Sequence, residues 1–195
     1  MSLISYITAS SFQLFGSFLF CLVYGTFPPR KSLNLLIEAA SLVDSKVELH
    51  VLGDGACAAK WKKMAAEKNN VRIHWHGWVE RTQGMEIMQA CDVFCITSLS
   101  DLTSTVLLEA LSYGLPVIAL DHCGFTNVIT DECGIKIPIR NKRQVVEDIA
   151  KAIDCMAADE EKRKSMSVAA HQRSLSYSWE EKGEEINRIY RKVLG

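Results

Sequence analysis

The sequence predicts an α/β fold: a Rossmann-like, three-layer domain with a parallel sheet of about six strands and C-terminal helices. Three observations predict it. Short β-rich runs alternate with longer amphipathic stretches, which argues for strands joined by crossover helices. Several strand ends open into polar or Gly-led loops that feed the next helix. After the run GIKIPI the alternation stops and the pattern turns wholly helical. With 195 residues and 48% apolar content, the chain has the size of one ordinary core.

The first strand is expected at 17–24, inside the apolar stretch SFQLFGSFLFCLVYG at 11–25. That stretch has no basic leader and no small-residue cleavage site, and it falls short of the roughly 20 apolar residues that cross a bilayer. A buried parallel strand accounts for it better. Residues 1–16 are read as a linker or an added segment, and 17–195 as the domain. Pro28 and Pro29 then lead into a helix from about Lys31 to Val43, with Leu33, Leu36, Ile37 and Ala40 on one face.

KVELHVLG is the second strand, ending at Gly53-Asp54-Gly55, and 57–68 the next helix. VRIHWHG is the third strand, followed by a short helix at 83–91, and DVFCITS the fourth, stopping at Ser98. A helix at 103–113 ends at Gly114-Leu115-Pro116, a helix stop that leads straight into the strand VIAL. A short helix near 124–130 precedes GIKIPI. Asn141 with Gln144, and Ser178 with Glu181, have capping-box spacing and mark helix starts at about 142 and 179.

Charge and cysteine usage narrow the function classes. Lys and Arg number 22 against 23 Asp and Glu, with no long block of one sign, so no nucleic-acid footprint or polybasic membrane patch is expected. Seven cysteines, an odd count without a CxxC pair, fit a reduced, cytoplasmic interior better than a disulfide framework. His122 and Cys123 with Cys133, or His74 and His76, read as packing or surface residues, and no metal site is expected.

A sheet of this kind places its ligand at the carboxyl ends of its strands. In the loop GTFPPRKS, Gly25 frees the backbone and Lys31 opens a helix, where it can neutralise a phosphate with help from the helix dipole, or simply be a solvated Lys beside a turn. In SLSDLTSTVLLEAL, amides around Leu102 to Thr105 and the hydroxyls of Thr103, Ser104 and Thr105 crowd a helix N-terminus. They can form an anion site or ordinary caps. Glu109, about two turns into that helix, can accept hydrogen bonds from both hydroxyls of a ribose, or stand as an exposed Glu. The loop LDHCGFTNVI shapes a pocket floor or is a plain connection.

Over about residues 17–193 the string of motifs resembles the C-terminal domain of the GT-B-type retaining glycosyltransferases known as glycosyl transferases group 1. GTFPPRKSLNLLIEA is similar to G-R-L-x-x-x-K-G and its helix, and VRIHWHGWV to a V-x-F-x-G-x-V strand. VLGDG is a further part of the match. DLTSTVLLEALSYGLPVIALDHCG is similar to E-G-x-G-x-x-x-x-E-A-x-A-x-G-x-P-V-I-A-x-x-x-G, and SWEEKGEEINRIYRKVL to a closing Trp-containing helix. The order and spacing of these pieces carry the resemblance.

The resemblance implies binding of a nucleotide-diphosphate sugar, UDP- or GDP-linked, as substrate without a cofactor, and retaining transfer of the sugar to an acceptor hydroxyl. It places the diphosphate at Gly25, Thr26, Lys31, Leu102, Thr103, Ser104 and Thr105, and the ribose at Glu109. It places Asp101, the first acidic residue of E-x7-E, beside the donor sugar as the catalytic candidate, and the base near Gly77, Trp78 and Val79. It also implies an N-terminal acceptor-binding domain absent from this chain, through which any peripheral membrane association would come, so that the chain alone is expected to be inactive.

Departures are as specific as the matches. Thr26 replaces the usual Arg, Asp101 the usual Glu, and Leu102 and Ser104 two glycines. Arg30 or the absent domain is the expected source of compensating charge. A noncatalytic nucleotide-sugar-binding module and half of a nucleotide-sugar 2-epimerase are the alternative readings.

Overall fold

The computed structural model describes residues 19–68, 70–101 and 104–194. The expectations for residues 1–16 and for Leu102 and Thr103 lie outside that range. Six strands form one parallel sheet: β1 (Leu19–Tyr24), β2 (Val47–Leu52), β3 (Arg72–Gly77), β4 (Val93–Ile96), β5 (Val117–Leu120) and β6 (Gly134–Ile137), in the order β3-β2-β1-β4-β5-β6. The chain steps outward from β1 in one direction and from β4 in the other, so the order reverses between β1 and β4, the switch point at which open sheets of this kind form a ligand crevice.

Strand periodicity sorts the core into two layers. Leu19, Cys21, Leu49, Val51, Val93 and Cys95 face α1 (Leu33–Ala40), α2 (Ala58–Ala66) and α6 (Lys142–Ala158). Leu22, Leu52, Phe94 and Ile96 face α3 (Arg81–Gln89), α4 (Thr105–Ser112) and α5 (Phe125–Val128). Leu36, Ile37, Leu49, Leu107 and Leu111 are among the fully buried side chains, each contributing about 1.5–3 kcal/mol.

Between the expected helix starts near 142 and 179 the helical tail is divided once more. α6 ends at Ala158, and the Asp159 side chain accepts the Lys162 amide at 2.9 Å to start α7 (Glu160–Leu175). At the predicted start near 142, Asn141 accepts the Gln144 amide at 3.0 Å, but the Gln144 side chain reaches the Arg140 amide instead of closing the box on Asn141. α8 (Trp179–Leu194) starts at 179 with Ser178 accepting the Glu181 amide, and it buries none of its side chains. Trp179 is 90% exposed, and Ile186, Ile189, Tyr190 and Val193 are exposed with it.

The helix expected from Lys31 to Val43 is shorter, and the difference shapes the site. Pro29 begins a 3₁₀ turn through Lys31, and Ser32 adopts a left-handed backbone at φ 48° before α1 starts at Leu33. Lys31 therefore sits in a turn ahead of the helix. No helix among the described residues is long and apolar enough to cross a membrane, and all seven cysteines are free thiols.

Candidate functional site

The crevice between β1 and β4 is framed by backbone. Gly25, with φ 143°, ends β1 and donates to Leu52, while the Gly53 amide donates to Gly77 at 2.7 Å, so the loops after β1, β2 and β3 are tied in sequence. A Cβ at Gly53 would collide with the carbonyl oxygen of Gly25, and one at Gly55 would stand 2.8 Å from the Phe27 nitrogen. Phe27 and Asp54 are joined by a further backbone hydrogen bond of 3.1 Å. Such contact needs glycine on the β2 side, because any side chain would force the loops apart.

Two loops then close over the switch point. The Leu99 amide donates to the Arg30 carbonyl at 2.8 Å, Thr97 donates its hydroxyl to the Lys31 carbonyl at 3.0 Å, and the Arg30 guanidinium reaches the Ser100 carbonyl. Thr97 and Ser98 are buried along this seam. On it the Lys31 ammonium forms an ion pair with the Asp101 carboxylate, the two side chains only 20% and 15% exposed. Two residues 70 positions apart, singled out separately from sequence, meet here.

The other described residues expected at the site make different contacts. Ser104 is the extended cap residue of α4 and makes no side-chain cap bond, leaving the amides at the start of that helix, from Thr105 onward, without it. Glu109 lies little more than one turn into α4, not two, because the helix begins at Thr105. It does not meet Lys31; its carboxylate faces Arg81 at 3.4 Å. Gly77 ends β3 with φ 66°, Trp78 stands 68% exposed, and Val79 packs under α3. Thr26 is exposed at the mouth of the first loop. The third loop, after β5, is closed on itself by a Thr126 to Asp121 hydrogen bond of 2.8 Å.

Arg81 was not foreseen from sequence. It is the first residue of α3, and only the sheet order brings that helix beside α4. A second cluster, of which the sequence shows only His74 and His76 as packing or surface residues, depends on strand neighbours in the same way. Glu48 and His50 on β2 face Arg72, His74 and His76 on β3, and donor atoms of Glu48, His50 and His74 lie within 4.8 Å of one another, a spacing from which a metal ion could be held. His74 and His76 both stack on His50. Burial, then the charges of His74 and His76, lowers the His50 pKa to about 4.

Against this geometry stand the comparisons with known proteins. The family model described as Glycosyl transferases group 1 matches residues 10–173. The chain belongs to the glycosyl transferases group 1 family. Among curated relatives it is 25% identical over 179 residues to an uncharacterized glycosyltransferase of Methanocaldococcus jannaschii, covering 91% of this chain and 49% of that one. It is 29% identical over 150 residues to the lipopolysaccharide core biosynthesis glycosyltransferase LpsE of Rhizobium meliloti, covering 76% and 42%.

In solved structures the fold superposes on Staphylococcus aureus TarM, determined with UDP, at TM-score 0.75 and 22% identity over 92% of this chain and 37% of that one. It superposes on the catalytic domain of cholesterol-α-glucosyltransferase from Helicobacter pylori at TM-score 0.71 and 19% identity, covering 82% and 99%. The group 1 chain described here thus has the Rossmann-like α/β fold of GT-B glycosyltransferase domains, and it spans about half the length of the curated relatives it matches.

Proposed function

We propose that this chain is the donor-binding half of a nucleotide-sugar-dependent glycosyltransferase, with the nucleotide diphosphate lying across the β1/β4 crevice. The observation that carries the reading is the meeting of Lys31 and Asp101 over the switch point, on loops held by Thr97 and Leu99. In this reading Lys31 turns from Asp101 to the diphosphate, joined by the amides at the start of α4 and by the backbone at Gly25 and Thr26. Charge developing on the leaving diphosphate is stabilised by those fixed donors.

Asp101 stays at the sugar end, one carboxylate beside the reacting carbon. Glu109, already held by an exposed Arg81, accepts the ribose hydroxyls, and the base rests on the Gly77-Trp78-Val79 loop. Arg81 joins Arg30 as a source of the positive charge that Thr26 does not provide. Retention at the anomeric carbon, the UDP or GDP identity of the donor and the role of an N-terminal acceptor-binding domain belong to the same proposal. The exposed apolar side chains of α8 and the half-length match to relatives support a partner domain. The reading as a noncatalytic binding module is favoured by one observation, the uncharged Thr26 at the mouth of the crevice.

Calorimetric titration with UDP, GDP and ADP tests the site. One nucleotide is expected to bind, with the Lys31→Ala variant at least about tenfold weaker, the size of a lost charge-assisted hydrogen bond, and Glu109→Ala weaker by a smaller factor. Equal affinity in both variants sinks the assignment. Sugar transfer by the chain joined to its partner domain, abolished by Asp101→Ala, separates the enzyme from the module.

A further inference from the structure

We propose that Glu48, His50 and His74 form a site for one borderline divalent cation, Zn²⁺ foremost, on the β2/β3 flank of the sheet. Parallel pairing sets it up: Glu48 lies opposite Arg72 and His50 opposite His74, so alternate residues of two adjacent strands point to the same face. Two imidazoles and a carboxylate are the donor set of Zn²⁺, and also suit Cu²⁺ and Ni²⁺, whereas Mg²⁺ and Ca²⁺ favour oxygen ligands alone.

Each donor is already oriented. His50 uses Nδ1 in a 3.0 Å hydrogen bond with Nε2 of His76, and its own Nε2 is buried without any partner. A buried nitrogen left unpaired is costly. When His50 donates from Nδ1 to His76, Nε2 presents a lone pair, and a cation supplies the missing partner. His76 then acts behind the ligand, fixing its tautomer as outer-shell groups do at metal sites.

His74 Nε2 meets Glu48 Oε2 at 2.7 Å, while Arg72 holds Oε1 at 2.5 Å. A cation takes the place of the proton shared by His74 and Glu48, and Arg72 keeps the carboxylate turned toward it. The His74 side chain is 44% exposed, giving an ion access from solvent and the ring room to close the spacing between donors. A tetrahedral site with bonds of about 2.0–2.2 Å then keeps one position for water. The site lies before the carboxyl ends of β2 and β3 and requires nothing of the nucleotide reading.

The test uses the whole chain, freed of metal by a chelator. Titrated with Zn²⁺, it is expected to bind one ion per chain and to gain melting temperature. His50→Ala and His74→Ala are each expected to weaken binding at least tenfold, while His122→Ala and Cys123→Ser leave it unchanged. Because His74 is the more exposed of the two imidazoles, that variant is expected to keep the fold and remains informative if His50→Ala does not. Titrated with Co²⁺, the site is expected to show ligand-field bands without thiolate charge transfer. No stoichiometric binding, binding indifferent to His74→Ala, or a thiolate band that disappears in Cys123→Ser would each overturn the proposal.

Discussion

The crevice between β1 and β4 and the flank formed by β2 and β3 both gather charged groups, but they assemble them differently. In the crevice, Lys31 and Asp101 arrive on loops, which the Thr97 hydroxyl and the Leu99 amide hold together. On the flank, Glu48, His50, His74 and His76 stand on strands, and the register alone brings them together. A loop-borne pair can part and re-form around a ligand, because only the side chains need to turn. A strand-borne cluster has its backbone spacing fixed by the sheet, so little can change beyond small turns of its rings, its protons or a bound ion.

The largest effect expected to break this contrast comes from Gly53. Gly53→Ala forces a side chain onto the Gly25 carbonyl at a backbone angle of φ 114°, so it is expected to cost about 2 kcal/mol or more. Chemical denaturation measures that loss, and nucleotide affinity should fall with it. An unchanged midpoint would mean that the loops are not braced against each other.

Acid probes the flank. The folded His50 pKa of about 4 lies below the usual 6.5 of an unfolded imidazole, so the unfolded chain takes up the proton first. The contribution is fully present above about pH 6.5 and is lost as pH falls toward 4. His74, His76, Glu48 and Arg72 face the same ring, and denaturation of the metal-free chain across this window should show the decline. In His50→Phe the slope is expected to flatten.

Smaller effects sharpen the crevice side. Asp101→Asn removes a negative charge beside the proposed phosphate position, worth about 1 kcal/mol in a partly exposed site. Affinity for a bare nucleotide diphosphate is expected to rise several-fold while sugar transfer by the two-domain protein falls; weaker binding in calorimetry would place Asp101 elsewhere. Thr26→Arg, at an exposed position, is expected to raise diphosphate affinity by a few-fold without altering the melting temperature.

The contrast also explains what was legible in the sequence. Alternating periodicity marked the strands and helices, loop chemistry marked Lys31, and the family resemblance marked Asp101, because those signals are local or carried by a motif. Ser32 was not legible as a break, since its left-handed backbone follows from how the 3₁₀ turn meets α1. Arg81 beside Glu109, and His50 between His74 and His76, depend on which helices and strands are neighbours. No run of adjacent residues records that, so His74 and His76 could be read only as separate surface or packing residues.

The interlocked glycines have an evolutionary consequence. With Gly53 pressed on the Gly25 carbonyl and Gly55 on Phe27, the loops after β1 and β2 cannot drift one at a time, because enlarging either glycine damages its neighbour as well. Change is therefore expected at residues beside them instead, such as Thr26 and Asp54, where a new side chain can alter the surface of the crevice without moving its frame.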